Sequence, residues 1–459
     1  MSDSRRFVPY VIGALVIFGL VAAGMFTGRR RLAEPPPEEP SPRPEVETVL
    51  EVRPKNLFEF PGDWDQVPKF TATLFYPGQT SWEWLVGEEH AGSSQTEAGE
   101  ACQSCHARTE DELGRALAAR GDLEPEPIVG KRAAVNLDVQ AAYDDEYLYM
   151  RLEWDAQDPG AYHALWRFDG EDWQSFGGPK PISEGGVPSY EESVSVLLDE
   201  FDNVRVAPDS RAGFATGGCF IACHDDMRGM AQGSDGVGKY LPVSRADDKL
   251  KSDEEIRELL HDGEFLDLWH WRAALSNPVG YGNDGYVLDD RNDDTGRVSF
   301  SLSEDGPAWM FDEQKVGFKT ARLDEMQRNL ELFHLIQGQT AATFNPEADF
   351  QEGDVLPVAL VREPEGSAGD LMANGSYRDG RWTVVLRRKL DTGNPDDTKF
   401  MVGERYNLAF AVHDDFVGGR RHHVSWVYIV GLNREDVQIN AVPLRTGQET
   451  PPATQPEES

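Results

Sequence analysis

The chain has 459 residues, with 81 acidic side chains against 44 basic ones and a formal net charge of −37 at pH 7. Such a charge argues against nucleic acid as a partner, because a phosphate backbone is bound by basic surface. It reads first as solvated acidic surface, which also attracts basic soluble redox proteins. All four cysteines fall in two short motifs.

In chain order, residues 1–28 hold a short stub and an uncharged apolar run, Phe7 to Phe26, long enough to cross a hydrocarbon core as one helix. A cleaved signal peptide ending near Ala22-Ala23-Gly24 is the alternative, although the run exceeds a normal signal core. Arg5 and Arg6 precede the run and Arg29, Arg30 and Arg31 follow it, so basic residues do not fix its orientation. Residues 29–55 form a Pro/Glu-rich linker (EPPPEEPSPRPEVE) that favours extended geometry and cannot build a core. Residues 441–459 have the same character and read as a disordered tail.

Between these ends lie a first haem segment, 56–130, and a larger domain, 131–440. The first segment contains Cys102-Gln103-Ser104-Cys105-His106, the pattern of covalent haem c attachment: two thiols add to the vinyl groups and the adjacent histidine supplies an axial nitrogen to iron. The second contains Cys219-Phe220-Ile221-Ala222-Cys223-His224, which repeats that chemistry with one extra spacer residue. A joint zinc site is disfavoured because zinc does not require a histidine directly after each second cysteine. Two local disulfides are disfavoured because such small loops gain little chain entropy. The reading is two covalently bound haem c groups with His106 and His224 on iron. Because haem c is attached outside the cytoplasm, the implied topology is a single pass of the bacterial cytoplasmic membrane with the large C-terminal part in the periplasm.

The secondary-structure pattern is mainly β. Strands are predicted at Val135–Ala141 and Tyr147–Trp154 about an Asp144-Asp145 turn, and at Ser193–Leu198, Arg297–Leu302, Trp382–Arg388, Tyr406–His413 and His423–Val430. Arg378-Asp379-Gly380 reads as a hairpin turn. Helices are predicted at Asp253–His261, behind a Ser252/Glu255 capping box, and at Leu323–Leu335. The spacing points to an antiparallel β-sandwich with haem-carrying loops and a few helices.

The order of FYPGQTSWEWL, the first motif, VQAAYDDEYLYMRLEW, GGCFIACHDDM, DLWHWRAALSNPVGYGNDGYVLDD and HDDFVGGRRHHVSWVYIVGL resembles the ethylbenzene dehydrogenase-related haem-binding cytochromes over about Phe58 to Leu432. The resemblance implies a β-sandwich similar to family 9 carbohydrate-binding modules that passes electrons for a partner enzyme, a molybdenum oxidoreductase in some members. Those subunits hold non-covalent haem b between Met and Lys, a ligand pair that does not carry over to covalent sites.

The remaining axial ligands are read from this sequence. His90, twelve residues before Cys102, is the first choice opposite His106, and His270, between Trp269 and Trp271, opposite His224. His422, His423 and Met310 are alternatives for the second position. Met227 and Met230 stand too close to His224, and His413 with Asp414 and Asp415 could orient a ligand. Acidic neighbours of the first motif (Glu88, Glu89, Glu97, Glu100, Glu110, Asp111 and Glu112) predict a polar first site and a lower potential there. The function expected is single-electron transfer between a membrane quinol oxidoreductase and a periplasmic redox enzyme. The alternatives are a dihaem redox enzyme with one open coordination position and, by fold analogy alone, a glycan-binding module.

Overall fold

The computed structural model describes residues 58–78, 80, 82–119, 131–177, 190–200, 213–218, 241–246, 249–329, 332–414 and 422–444. The expected span Phe7 to Phe26 lies outside them. Among the described residues no helix is long and apolar enough to cross a membrane.

Thirteen strands make the main sheet: β1 (Lys69–Phe75), β2 (Ala134–Tyr143), β3 (Tyr147–Asp155), β4 (Ser193–Asp199), β5 (Leu266–Arg272), β6 (Asn283–Val287), β7 (Arg291–Asp293), β8 (Met372–Arg378), β9 (Arg381–Lys389), β10 (Arg405–His413), β11 (His423–Val424), β12 (Tyr428–Leu432) and β13 (Ile439–Pro443). Their order is β7-β6-β5-β4-β10-β11-β1-β2-β3-β9-β8, and β13 bridges β12 to β2. Both β13 pairings are parallel. The sheet therefore curls until β1, β2, β13, β12, β10 and β11 close a ring like a small barrel. The far edges are also stitched, since Gly282 N donates to Leu371 O and Ala373 N to Gly280 O, at 3.0 Å each. Two separate, purely antiparallel sheets were expected. The last strand converts them into one closed surface, which leaves fewer unpaired edges.

The β2–β3 hairpin forms because the Asp144 carboxylate accepts from the N–H groups of Glu146 (2.8 Å) and Tyr147 (2.7 Å). Leu148, Met150, Leu152 and Trp154 then point into the core. There Trp271 meets Trp154 and Trp382 edge-on, 4.9 Å from the latter, while Trp154 and Trp382 stack at 6.4 Å. Asn277 fixes this cluster. Its Oδ1 accepts from Trp271 Nε1 (3.1 Å) and from Gly375 N (2.8 Å), and Gly280 completes the turn at φ +82°.

A second, smaller core gathers Tyr162, Leu165, Phe311, Phe318, Phe333 and Leu356 among short strands. Several sequence expectations change there. Arg297–Leu302 divides into Gly296–Arg297 and Phe300–Leu302, which pair in different sheets. The helix predicted to Leu335 ends at Arg328, where Asn329 turns extended, and Leu335 enters a strand instead. Phe333 and Leu335, two residues apart and so on one face of an extended chain, are used by this core. Met310 is buried in it, with Asn345 N donating to its sulfur, and serves packing there. His423–Val430 is interrupted at Ser425, whose hydroxyl bonds Trp426 O and Phe410 N. By contrast, Asp253–His261 is helical with its Ser252/Glu255 capping box formed.

Candidate functional site

Four short helices follow β1: α1 (Trp82–Leu85), α2 (Ser93–Glu97), α3 (Cys102–His106) and α4 (Glu110–Ala119). The first cysteine motif is α3 itself. A helical turn sets residues three apart on one side, so Cys102 and Cys105 share an edge and His106 follows at the end of the helix. Thr109 holds that end, donating from its N–H (3.1 Å) and hydroxyl (2.8 Å) to His106 O. Arg108, at φ +69°, turns the chain so that its N–H reaches Glu110 Oε1 (3.2 Å). That same oxygen accepts from Trp426 Nε1 (2.9 Å), which ties α4 to the segment between β11 and β12. At Gly114 a Cβ atom would stand 2.1 Å from Ala133 O, so only glycine allows α4 to lie this close to the strands.

His90 sits between α1 and α2. Its Nδ1 lies 2.6 Å from Leu85 O. A carbonyl only accepts, so the proton is on Nδ1 and Nε2 presents a lone pair. The His90 and His106 rings lie 6.2 Å apart at 20°. Two imidazoles on opposite faces of one iron place their ring centres about 6 Å apart, so the pair fits that arrangement. Trp84 flanks His90 at 5.4 Å and Trp426 flanks His106 at 6.0 Å. The rings bound a cavity of about 400 Å³ that Phe75, Leu85, Leu113 and Leu117 complete.

Cys102 faces this interior, and burial pushes its thiol up to about 11; Cys105 lies at the exposed side. At neutral pH this sulfur is therefore a protonated, neutral thiol that packs as an apolar group. Burial, and then the neighbouring His90, lower the pKa of His106 and keep it neutral, as an iron ligand must be. The donor set and apolar walls suit a covalently attached haem. The polar first site expected from the sequence is corrected here. Glu88, Glu89, Glu97, Asp111 and Glu112 point to solvent, Glu100 stands at the cavity rim, and Glu110 is spent on Trp426.

Cys219, Cys223 and His224 lie outside the described residues, as do Met227 and Met230. The helix before them, α5 (Phe214–Gly217), packs against α3 and β10. His270 is buried on β5 in a different cavity of about 320 Å³, with His163, Glu191, Arg272, Arg291 and His413. The Arg291 guanidinium contacts His270 Nδ1. Arginine only donates, so Nδ1 accepts and the proton falls on Nε2, the reverse of His90. Burial, then Arg291 and Arg272, hold the His270 pKa well below the usual value. His413 pairs with Ser193 Oγ at 2.9 Å and lies 4.6 Å from the His422 ring. His423 Nε2 donates to Arg132 O at 2.8 Å, which makes it a buried histidine bonded to backbone. Asp414 is ion-paired with Arg132.

The sequence reading missed Trp84, Gly92 and Trp426 at the first cavity. A Cβ at Gly92 would lie 3.1 Å from the His90 ring, so glycine leaves that ring its room. Both tryptophans occur in stretches already set apart, SWEWL and HHVSWVYIVGL, but their convergence on one cavity arises only from the fold.

Comparison with known proteins adds three findings. The sequence model of ethylbenzene dehydrogenase matches residues 62–425. Cytochrome c-552 of Stutzerimonas stutzeri is 26% identical over 379 residues, covering 82% of this chain and 89% of that protein. Cytochrome c-551 of Rhodocyclus tenuis is 30% identical over 182 residues, 39% of this chain and 62% of the relative. With the family match spanning well over half of the chain, including both histidine pairs and most of the sheet, the chain belongs to the ethylbenzene dehydrogenase family.

Proposed function

We propose that this chain is a c-type cytochrome carrying two covalent haems, anchored in the bacterial cytoplasmic membrane by Phe7 to Phe26 with its folded body in the periplasm. It moves single electrons between a membrane quinol oxidoreductase and a periplasmic redox enzyme, a molybdenum oxidoreductase being one candidate. The supporting observation is the first cavity, where His90, Cys102, Cys105 and His106 meet under apolar walls with the two imidazoles 6.2 Å apart. When bound, haem c supplies a one-electron ferric/ferrous couple. His90, held through Leu85 O, and His106, at the end of α3, would both hold that iron, and with both bound it would have no open position for a substrate. That favours transfer over small-molecule catalysis. Names of cytochrome type among the relatives agree with it.

The second haem is assigned to Cys219 and Cys223, with His224 on iron. The packing of α5 against α3 supports close spacing of the two groups. His270 is the proposed opposite ligand, and ligation through Nε2 requires Arg291 to release Nδ1.

The test is mass spectrometry of the protein after acid–acetone extraction, with visible spectra under carbon monoxide. Two retained haems and a low-spin spectrum indifferent to carbon monoxide are expected. Bound zinc without haem would overturn the reading, and a large high-spin fraction would favour an enzyme. Fractionation with membranes after a high-salt wash tests the anchor; an N-terminus near Gly24 would show a cleaved signal.

A further inference from the structure

One end of the main core buries five carboxylates, Asp267 on β5, Asp284 on β6, Asp294 just after β7, and Asp396 and Asp397 in the loop after β9. They surround Arg388, which has no exposed surface. The guanidinium reaches Asp267 (2.8 Å), Asp397 (2.6 Å) and Asp284 (3.3 Å). One arginine cannot balance five buried carboxylates, and unpaired buried charge is strongly destabilising.

The carboxylates form two triads that share Asp397. In each, one oxygen per residue lies within 4.8 Å of the others. The triad of Asp267, Asp284 and Asp397 encloses Arg388. The triad of Asp294, Asp396 and Asp397 is likewise buried and lies within the same bound, but among the described residues its cationic contact is Arg388, which reaches Asp397 alone. The other two receive neutral donors: Ser367 Oγ stands 3.4 Å from Asp294 Oδ2 and 3.2 Å from Asp396 Oδ1, and Thr295 N stands 3.4 Å from Asp396 Oδ2. Asp294 is 4% exposed, and its Oδ1 is buried with no hydrogen-bond donor.

We propose that Asp294, Asp396 and Asp397 hold a calcium ion that ties the loop after β9 to the strand β6–β7 region. The donors are all hard oxygens, which suit calcium rather than zinc or copper. The oxygens all lie within 4.8 Å of one another, close enough to share one ion, and a cage built from three carboxylates suits calcium better than magnesium, which keeps most of its waters and takes one or two carboxylates. Ser367 Oγ, between two of the carboxylates, and water complete the shell.

The test uses the full haem-loaded chain, exchanged into chelator-treated buffer and titrated with calcium chloride by calorimetry, with elemental analysis after desalting. One calcium per chain is expected, with a rise in thermal midpoint of about 5 °C that equal magnesium or sodium does not reproduce. Asp294→Asn and Asp396→Asn should each abolish calcium retention while the visible spectrum stays that of the parent. Should either variant fail to fold, the titration of the parent decides alone. Absence of retained calcium together with an unmoved midpoint would overturn the proposal. A metal-free Asp294→Asn protein more stable than its calcium-free parent, with the parent unresponsive to calcium, would show that Asp294 is instead kept neutral by a proton.

Discussion

The two histidine-containing cavities differ in how their polar atoms are spent. In the first, His90 donates its Nδ1–H to a backbone carbonyl, which leaves Nε2 bare, and its ring lies 6.2 Å from that of His106 in a cavity with apolar walls. In the second, His270 takes a hydrogen bond from Arg291, while Glu191 accepts from Arg272 (2.6 Å), Ala274 N (3.0 Å) and Leu275 N (2.9 Å) and pairs with His163. Histidine count alone does not make a haem pocket. What matters is which ring nitrogen keeps its proton and whether the walls are apolar.

The sharpest test of the contrast removes the attachment chemistry. Cys102→Ser with Cys105→Ser should lower covalently retained haem from two groups to one by intact mass, whereas His163→Ala, in the second cavity, should leave both. Next, His90→Ala should convert the first centre from low-spin to high-spin and open it to carbon monoxide. His270→Met should leave that centre untouched and, if His270 ligates the second iron, shift only the other wave of a redox titration upward. A change at the first centre in the His270 variant would break the contrast.

The polar cavity should announce itself in acid. Burial acts to raise the Glu191 pKa, but Arg272 and His163 outweigh it and bring it down to about 2. A depressed carboxylate stabilises the fold above its unfolded value of 4.5, and that contribution is lost as pH falls from 4.5 toward 2. The shift corresponds to about 3 kcal/mol. Urea melts of Glu191→Gln should show about that loss at neutral pH and a flatter acid limb than the parent. The smallest effect is expected at Gly114→Ala, where the new methyl must displace the Ala133 carbonyl at a cost of about 2 kcal/mol by thermal melting.

Much of this was legible in the chain. The motif at Cys102 to His106 and the spacing to His90 pointed to residues that the fold does gather at one cavity, because both are local. The hairpin at Asp144 and the cap at Ser252 were legible for the same reason. What escaped was assembled from afar. Trp426 reaches His106 only because the last strands fold back beside β1. Asp267, Asp284, Asp294, Asp396 and Asp397 have no spacing that sets them apart from the other acids of a −37 chain. The acidic run about the first motif misled because sequence proximity says nothing of which face a side chain takes: Glu88, Glu89, Glu97, Asp111 and Glu112 face outward, and Glu110 is spent on Trp426. In Leu323 to Leu335, apolar spacing compatible with a helix was overruled by the second core.

Closure of the sheet has a topological consequence. Leu444 N donates to Tyr143 O at 2.7 Å, and Leu444 lies against Gly62, so the first and last described stretches meet at one place. A short peptide joining them would make the folded body circular without bending any strand. New ends could then be cut at the exposed turn Asp169–Asp172, where Asp169 Oδ1 accepts from Glu171 N and Asp172 N in a self-contained loop. The order of strands along the chain is therefore separable from their order in the sheet, and a circular permutant opened at that turn should keep the first cavity whole.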